Sequence, residues 1–355
     1  MARARKCASN EMAVRTVLVC ETQVPFVTGG AESHVRELVK HLRAAGYETD
    51  LVSVPFKWYP KKEILGHAAA WRLLDLSESN GRSVDLVIGT KFPSYFARHP
   101  NKVVWLIHQY RAAYELCGTE YSDFAHTEHD VELRERLIEL DTKMLGDCQR
   151  RYTNSENTAA RLRRFNGLDA EALYHPPPLA EQLHHETYDS YILSVGRLES
   201  VKRVDLIIDA MRHADPGIRL IIVGEGTQEL ALRKQAEAVS AQIDFCGRVT
   251  DSELINLYAN ARAVVYPPYD EDFGYVTLEA FLAHKPVVTA SDSGGPLAFI
   301  ENNTTGIVCE PEEEALAAAI NNIADESKAK SLGDAGYERA RQITWNGVIE
   351  KLVID

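Results

Sequence analysis

The chain has 355 residues, of which 45% are hydrophobic and 26% are charged, and its formal net charge is −13. This length suits two domains of ordinary size, the composition is that of a soluble globular protein, and the acidic balance argues against nucleic acid as a partner. No apolar run approaches the roughly 20 residues that span a bilayer, which predicts a cytoplasmic protein. The six scattered cysteines show no metal-ligand spacing, so we expect reduced thiols and no zinc site.

Residues 1–12 are predicted to form a loose arm. They lack the apolar core of a signal peptide. Their arginine and lysine side chains allow a weak peripheral contact with an anionic membrane, although tails of this kind are commonly inert.

The first predicted strand, residues 14–20, is a mostly apolar, β-branched run that leads to a glycine pair. Gly29 and Gly30 are followed by a helix in which apolar residues recur at helical spacing. A glycine pair between a strand and a helix start can seat a phosphate on free N–H groups. The alternative is a purely structural turn, because glycine often marks turns.

Strands and helices then alternate, which predicts a parallel sheet wound on both faces. Ser155 is predicted to be the N-cap of one of these helices. The predicted strands are residues 48–54, 85–88, 102–107 and 151–155, and the predicted helices are residues 64–79, 131–148 and 156–165.

His108 stands at the carboxyl end of a predicted strand, the side on which open α/β sheets bind ligands. A structural histidine is the alternative, because its two ring nitrogens are easily satisfied by hydrogen bonds. Residues 91–100 and 109–130 are predicted to be loops at the crevice mouth, and loops commonly carry substrate choice.

A proline-rich stretch at residues 175–178 and the polar residues up to 188 predict a domain linker. The strand pattern restarts after it, so the second half of the chain is also expected to form a βα-alternating sheet. Its first strands are predicted at residues 191–195, 219–223 and 245–249, the second of which leads to Gly224 and the third of which ends at Val249.

Arg197 and Lys202 lie at the mouth of a strand-to-helix turn. Cations are slightly disfavoured near a helix start, so their position suggests a nearby anion. An arginine fork and a lysine point charge can together clamp a diphosphate. The alternative is a pair of solvated surface cations.

Residues 263–299 contain two neighbouring strand-to-helix junctions. A strand at 263–266 leads through an acidic run, residues 270–272, into a helix at 275–284, and a strand at 286–290 leads to Ser293-Gly294-Gly295-Pro296, the predicted start of another helix. Such junctions line the ligand crevice of an open α/β sheet. Glycines there let backbone N–H groups approach a ligand.

Two glutamates in this stretch limit the kind of ligand. Glu271 precedes the helix and Glu279 lies about two turns into it, so their backbones are separated by roughly 10–12 Å. That spacing argues against a hydrolase pair, whose carboxyls are about 5–9 Å apart. It suits one acid at each end of an elongated ligand. The alternative is that the acids at 270–272 only compensate the helix dipole and that Glu279 is solvated.

One string of residues resembles a known family. It runs Glu271-Asp272-Phe273-Gly274-Tyr275-Val276-Thr277-Leu278-Glu279-Ala280, followed by Lys285-Pro286-Val287-Val288 and Gly294-Gly295. It closely resembles the E-x7-E signature of family 4 of the retaining glycosyltransferases, which are nucleotide-sugar-dependent enzymes of the GT-B fold. The chain departs from the usual pattern at His284, where glycine is commoner, and at Ala298, where an acid is commoner.

The resemblance implies two Rossmann-like, doubly wound parallel-sheet domains that face a central cleft. Residues 1–180 are then the acceptor-binding domain and residues 181–343 the donor-binding domain. Residues 344–355 are expected to form a helix that crosses back to the first domain.

The resemblance also implies roles for individual residues. Glu271 is expected at the donor sugar, Glu279 at the ribose and His108 near the donor sugar. The glycine pair and the two cations are expected at the diphosphate, Gly224 near the nucleoside or diphosphate, and the backbone of Val249 at the base. The expected catalytic residues are His108, Arg197, Lys202 and Glu271, and the expected donor-binding residues are Gly29, Gly30, Gly224, Val249, Phe273, Gly274, Tyr275, Val276 and Glu279.

The sequence thus predicts a retaining glycosyltransferase that moves a sugar from a UDP- or GDP-linked donor to a sugar or lipid-linked saccharide acceptor. No carboxylate is evident as a nucleophile, so a front-face displacement fits, with the leaving-group charge met by the two cations rather than by a metal or another cofactor. The alternatives are another GT-B enzyme, such as a nucleotide-sugar epimerase or a phosphorylase, and a nucleotide-sugar-binding protein without turnover.

Overall fold

The computed structural model describes residues 14–27 and 29–354, so the arm predicted at residues 1–12 lies outside the described residues. The strands are β1 (Thr16–Gln23), β2 (Glu48–Pro55), β3 (Glu78–Ser79), β4 (Arg82–Ser83), β5 (Leu86–Gly89), β6 (Lys102–Leu106), β7 (Arg150–Thr153), β8 (Glu171–Ala172), β9 (Tyr191–Val195), β10 (Arg219–Val223), β11 (Ile243–Gly247), β12 (Ala263–Val265), β13 (Val287–Ala290) and β14 (Gly306–Cys309). The helices are α1 (Gly30–Ala44), α2 (Glu63–Leu73), α3 (Glu128–Gly146), α4 (Glu156–Asn166), α5 (Val204–Ala210), α6 (Glu229–Glu237), α7 (Asp251–Asn260), α8 (Tyr275–Leu282), α9 (Glu313–Asn322), α10 (Glu326–Ala340) and α11 (Trp345–Ile349).

Two six-stranded parallel sheets organise the molecule. Their strand orders are β2-β1-β5-β6-β7-β8 and β11-β10-β9-β12-β13-β14. Each sheet separates two hydrophobic cores, because successive side chains of a strand point to opposite faces. In β10, for example, Leu220 and Ile222 enter one core, and Ile221 and Val223 enter the other. The predicted fold, α/β with two doubly wound parallel sheets, is confirmed.

The domain bounds 1–180, 181–343 and 344–355 stay a prediction. Around them, β8 ends the first sheet at Ala172 and β9 begins the second sheet at Tyr191. The last described helix lies against the first sheet, since Trp345 stacks on His41 of α1 with ring centroids 4.6 Å apart. Leu352, which follows α11, is fully buried in a first-sheet core.

Local signals explain where the helices next to the crevice begin. The Ser155 hydroxyl accepts the Thr158 N–H and caps α4, as predicted. At the start of α8, Gly274 has a φ of 82°, and a Cβ there would lie 2.8 Å from Pro296 Cγ. Glycine is therefore required at this helix start both by conformation and by space.

Two sequence predictions are wrong. The helix predicted at residues 64–79 ends at Leu73, because Leu74 is extended and its carbonyl accepts the Arg98 N–H at 2.9 Å. Residues 78–83 then form the β3–β4 hairpin, with Asn80 and Gly81 at positive φ in its turn. The helix predicted to start near Ser293 is only a short 3₁₀ turn at Gly295–Ala298. Among the described residues, none of the helices combines the length and the apolar character needed to cross a membrane.

Candidate active site

A cavity of about 650 Å³ lies between the carboxyl ends of the two sheets and is lined by residues of both halves of the chain. The sequence-predicted site residues in its lining are Gly29, Gly30, His108, Arg197, Lys202, Glu271, Phe273, Gly274, Tyr275 and Val276. Gly224, Val249 and Glu279 are not part of this lining. The structure therefore brings ten of the thirteen residues together.

The glycine pair starts α1 in close contact with charged and aromatic neighbours. The Gly29 N–H donates to Glu32 Oε2 at 2.9 Å, so a group expected to meet a phosphate is already capped by the protein. Glu32 also pairs with Lys91 Nζ at 2.5 Å. Burial alone would raise the pKa of Glu32, but Lys91 lowers it below its usual value. A Cβ on Gly30 would lie 3.3 Å from the Tyr275 ring, so this glycine allows the two halves of the chain to pack closely.

The two predicted cations differ in their surroundings. Arg197 is exposed and makes no ion pair within the described part of the chain. Lys202 Nζ forms an ion pair with Glu271 and lies 3.4 Å from the Tyr266 hydroxyl, which donates to Glu271 at 3.2 Å. Burial alone would raise the pKa of Glu271, but Lys202 keeps it below its usual value. The carboxylate is thus anionic and neutralises the lysine.

His108 has one committed ring nitrogen. Its Nδ1 lies 2.7 Å from the carbonyl oxygen of Gln109 and must carry the proton, because a carbonyl only accepts. Burial lowers the pKa of His108 below its usual value, against the opposing effect of Asp272. The neutral ring therefore presents Nε2 as a hydrogen-bond acceptor, and this atom has no hydrogen-bond partner among the described residues.

Three predicted residues lie outside the cavity lining. Glu279 is half-buried and accepts a hydrogen bond from the Tyr258 hydroxyl at 2.7 Å, so the solvated alternative for it is wrong. Burial raises the pKa of Glu279 above its usual value. A Cβ on Gly224 would lie 1.9 Å from the carbonyl oxygen of Gly196, which explains that glycine by packing alone. Val249 is half-buried.

Three residues of the cavity lining each carry a buried polar side-chain atom that has no hydrogen-bond partner among the described residues. These atoms are Thr22 Oγ1, His34 Nε2 and His175 Nε2. His175 is fully buried and stacks on Phe273 with ring centroids 4.5 Å apart. Burial lowers the pKa of His175 to about 3, so the ring is neutral. Buried polar groups normally have partners, so these three atoms are exceptions within the described part of the chain.

Sequence reasoning missed a charged network that joins the two domains. We call it the junction network: Arg111, Glu115 and Arg161 from the first half of the chain, and Asp270 and Asp272 from the second half.

Arg161 pairs with both aspartates, and Arg111 Nη2 donates to the Asp270 carbonyl at 2.6 Å. Burial alone would raise the pKa of Asp272, but Arg111 and Arg161 hold it at about 2. These acids bind arginines across the junction, so compensation of the helix dipole alone does not explain them.

One sequence signal pointed to this network. Arg161 lies on the same face of α4 as Thr158 and Leu162 and is only 6% exposed. Arginine on the inward face of a helix is rare without a buried partner. Asn157 on α4 also donates to the Glu271 carbonyl at 2.9 Å. The backbone of Glu271 is therefore held in place from the first domain.

Two family models match consecutive parts of the chain. "Glycosyltransferase Family 4" matches residues 28–176, and "Glycosyl transferases group 1" matches residues 178–339.

Among curated proteins, the chain is 39% identical to glycogen synthase of Mycobacterium tuberculosis over 46% of this chain and 40% of that protein. It is 24% identical to a GDP-mannose-dependent alpha-mannosyltransferase of Corynebacterium glutamicum over 96% of this chain and 88% of that protein. The match therefore spans less than half of the glycogen synthase.

Two solved structures share the fold over nearly their whole length. Sucrose-phosphate synthase of Thermosynechococcus elongatus superimposes with a TM-score of 0.71 at 20% identity, covering 95% of this chain and 97% of that one. HepE of Anabaena, in complex with UDP and glucose, superimposes with a TM-score of 0.68 at 17% identity, covering 96% and 98%. At these identities the likeness concerns the fold.

Proposed function

The chain belongs to the group 1 and family 4 glycosyltransferases, and from this premise we propose that it transfers a sugar from a nucleotide diphosphate donor to an acceptor hydroxyl. One observation carries the proposal. Arg197, Lys202, Glu271 and His108, which stand far apart in the sequence, line the same cavity between the two sheets.

We propose that the reaction retains the anomeric configuration. The bond between the anomeric carbon and the diphosphate oxygen breaks, and the acceptor oxygen bonds to the same face of that carbon. The proton of the acceptor hydroxyl passes to the departing phosphate oxygen. His108 Nε2 is a neutral hydrogen-bond acceptor suited to aligning a hydroxyl of the donor sugar.

Arg197 and Lys202 are proposed to meet the charge that develops on the diphosphate. Fixed donors aimed at developing charge lower the barrier by several kcal/mol, roughly 3–4 for one donor in a measured case. Because the protein supplies two cations here, we propose that the transfer needs no metal ion. Glu271 is then released from Lys202 by the diphosphate and accepts hydrogen bonds from the sugar.

The proposed donor is a UDP- or GDP-linked sugar. The HepE complex contains UDP and glucose, and the mannosyltransferase of Corynebacterium glutamicum depends on GDP-mannose. The proposed acceptor is a sugar or a lipid-linked saccharide. A cytoplasmic location and a weak contact with the membrane surface stay predictions from the sequence.

Nucleotide release from UDP-glucose, UDP-galactose, UDP-N-acetylglucosamine and GDP-mannose, measured with and without simple sugars as acceptors, tests the proposal. A glycosyltransferase releases UDP or GDP and forms a new glycoside. A binding protein without turnover releases no nucleotide, an epimerase converts the donor without releasing it, and a phosphorylase acts on a glycoside with inorganic phosphate. Any of these three outcomes contradicts the proposal.

A further inference from the structure

The first-domain wall of the cavity carries a row of aromatic rings, which we call the aromatic strip: Tyr110, Phe56, Trp58 and Tyr59. Neighbouring ring centroids along it are 6.0, 6.4 and 5.3 Å apart. The first three residues line the cavity, whereas the Tyr59 side chain is 61% exposed. The strip therefore leads from the cavity to the protein surface.

The inner end of the strip lies beside the proposed reaction centre. Tyr110 follows His108 by two residues, and both line the cavity. Phe92, which is 3% exposed, packs behind the strip with its ring centroid 5.9 Å from that of Phe56. A buried ring behind the strip keeps Phe56 in place, so the strip is a fixed feature of the wall.

A second apolar loop borders the outer end. β1 and β2 are neighbours, and the Phe56 N–H donates to the Gln23 carbonyl at 2.8 Å where they end. Val24 and Val27, just after β1, line the cavity. Phe26 between them is fully exposed. Phe26 and the 39% exposed Val27 form one apolar surface with the outer end of the strip, and a contiguous apolar surface, unlike a single exposed residue, is typical of a binding site.

The composition of the two loops decides between two kinds of occupant. They read Val24-Pro25-Phe26-Val27 and Phe56-Lys57-Trp58-Tyr59-Pro60, without a carboxylate or an amide side chain. Their only polar side-chain groups are the ammonium of Lys57, the indole N–H of Trp58 and the hydroxyl of Tyr59, fewer than the hydroxyls of a row of sugars need. Rings alone stack on sugars, but a row of sugar units also needs hydrogen-bond partners for its hydroxyls, because unmade hydrogen bonds in a buried site are costly. An apolar group needs only the rings.

Three other polar side chains of the same wall are already engaged. Lys91 pairs with Glu32, Arg111 Nε donates to Glu115 at 2.5 Å, and Gln109 donates to Asn166. These contacts leave few hydrogen-bonding groups beside the strip for a second or third sugar unit of an acceptor.

Resting on the proposed function, we infer that the acceptor is amphiphilic: its accepting sugar or polyol carries an apolar aglycone, alkyl or aryl, which lies along the aromatic strip. The accepting hydroxyl then sits near His108, and the aglycone passes over Phe56 and Trp58 towards Tyr59. Lys57, the one charged side chain in the two loops, suits an anionic group on the emerging part of the acceptor.

Matched acceptor pairs test the inference. With a donor that supports nucleotide release, kcat/KM is measured for glucose, mannose and galactose, and for their octyl and phenyl glycosides below the micelle concentration. We expect at least one octyl or phenyl glycoside to exceed its free sugar tenfold or more in kcat/KM, and the two arms separate alkyl from aryl recognition. Equal use of free sugars and glycosides overturns the inference and leaves the proposed function standing, whereas no nucleotide release from any donor overturns both.

Variants locate the effect. Trp58→Ala and Tyr59→Ser should each reduce the glycoside preference at least fivefold, and Tyr59 is exposed enough that its replacement leaves folding intact. The matched control is Leu230→Ser on α6, since Leu230 is 83% exposed but lies outside the cavity lining, and it should keep the preference. A preference that survives both strip variants overturns the inference. If Phe26→Ser instead reduces binding to phosphatidylglycerol vesicles while glycosides and free sugars are used equally, the surface is a membrane contact and the inference fails.

Discussion

Replacing Glu271 by glutamine should strengthen binding of the bare nucleotide diphosphate. Lys202 pairs with Glu271, and both side chains are nearly buried, with 13% and 14% exposure. A diphosphate can use the full charge of Lys202 only if this carboxylate gives way. The ion pair thus competes with the ligand.

The size of the effect follows from the contact that is lost. A hydrogen bond to a charged group contributes roughly 1.5–3 kcal/mol, and the glutamine oxygen retains part of it as a neutral acceptor. We therefore expect a gain of about 1–1.5 kcal/mol, close to tenfold in affinity. The affinity for the intact donor should rise less, because the variant also loses the charged contact to the donor sugar. For the same reason the transfer rate should fall.

Calorimetry with UDP or GDP, and with an unreactive donor analogue, measures both affinities. The matched control is Glu279→Gln, which removes the same charge from a residue that accepts a hydrogen bond from the Tyr258 hydroxyl and pairs with no cation among the described residues. If Glu279 holds the ribose, this control weakens both ligands. Unchanged or weaker nucleotide binding in the Glu271 variant would refute the competition between carboxylate and diphosphate.

Four further outcomes are expected. Arg197→Ala should lower kcat/KM by an amount equivalent to roughly 2–4 kcal/mol of transition-state stabilisation, with an unchanged melting temperature. Wild-type rates at saturating donor would remove Arg197 from the diphosphate site. His108→Ala should reduce kcat, by roughly a hundredfold, more than donor affinity, whereas a lower melting temperature with normal turnover would leave it only a structural role. Arg161→Gln should destabilise the fold by about 3–5 kcal/mol in denaturant unfolding, because it removes one of the two arginines that neutralise the buried acids Glu115 and Asp272. Arg163→Gln on the same helix breaks only an exposed pair and should cost less than about 1 kcal/mol; similar losses would contradict the junction network. Burial lowers the pKa of Lys285 from 10.5 to about 7. Between pH 7 and pH 10.5 the unfolded chain therefore binds more protons than the folded chain, so the free energy of unfolding that this group contributes rises with pH. Lys285→Met should flatten the rise of the melting temperature with pH over this range, and an unchanged pH profile would contradict the lowered pKa.

The elements around the cavity were predictable where a single physical signal dominates. The strands predicted at residues 191–195 and 219–223 have the observed bounds of β9 and β10, because both are buried on two faces and read as short apolar runs. The helix predicted at residues 64–79 is wrong beyond Leu73, because the backbone hydrogen bonds of Leu74 and Leu76 with Arg98 are tertiary contacts that apolar spacing does not encode.

The candidate site was predictable only in part. Strand ends of one parallel sheet meet at one edge, which predicts Arg197 and Glu271 together. His108 follows a strand of the other sheet and was placed with them by the family resemblance; all three line one cavity. The contacts of Arg161 with Asp270 and Asp272 depend on how two separate sheets approach each other, and no local pattern encodes that approach. The ion pair between Lys202 and Glu271 was not predictable for the same reason, since it depends on the distance between two side chains in the folded structure.

The return of residues 345–354 to the first sheet has a consequence for synthesis of the chain. Trp345, Val348 and Leu352 fill a core shared with Val17 and Trp105, whose strands leave the ribosome much earlier. Residues 173–344 must be translated in between, which at about 5–20 residues per second takes on the order of 10–30 s. During that interval the nascent first domain exposes an unfilled apolar face, and it is then a natural substrate for a ribosome-bound chaperone.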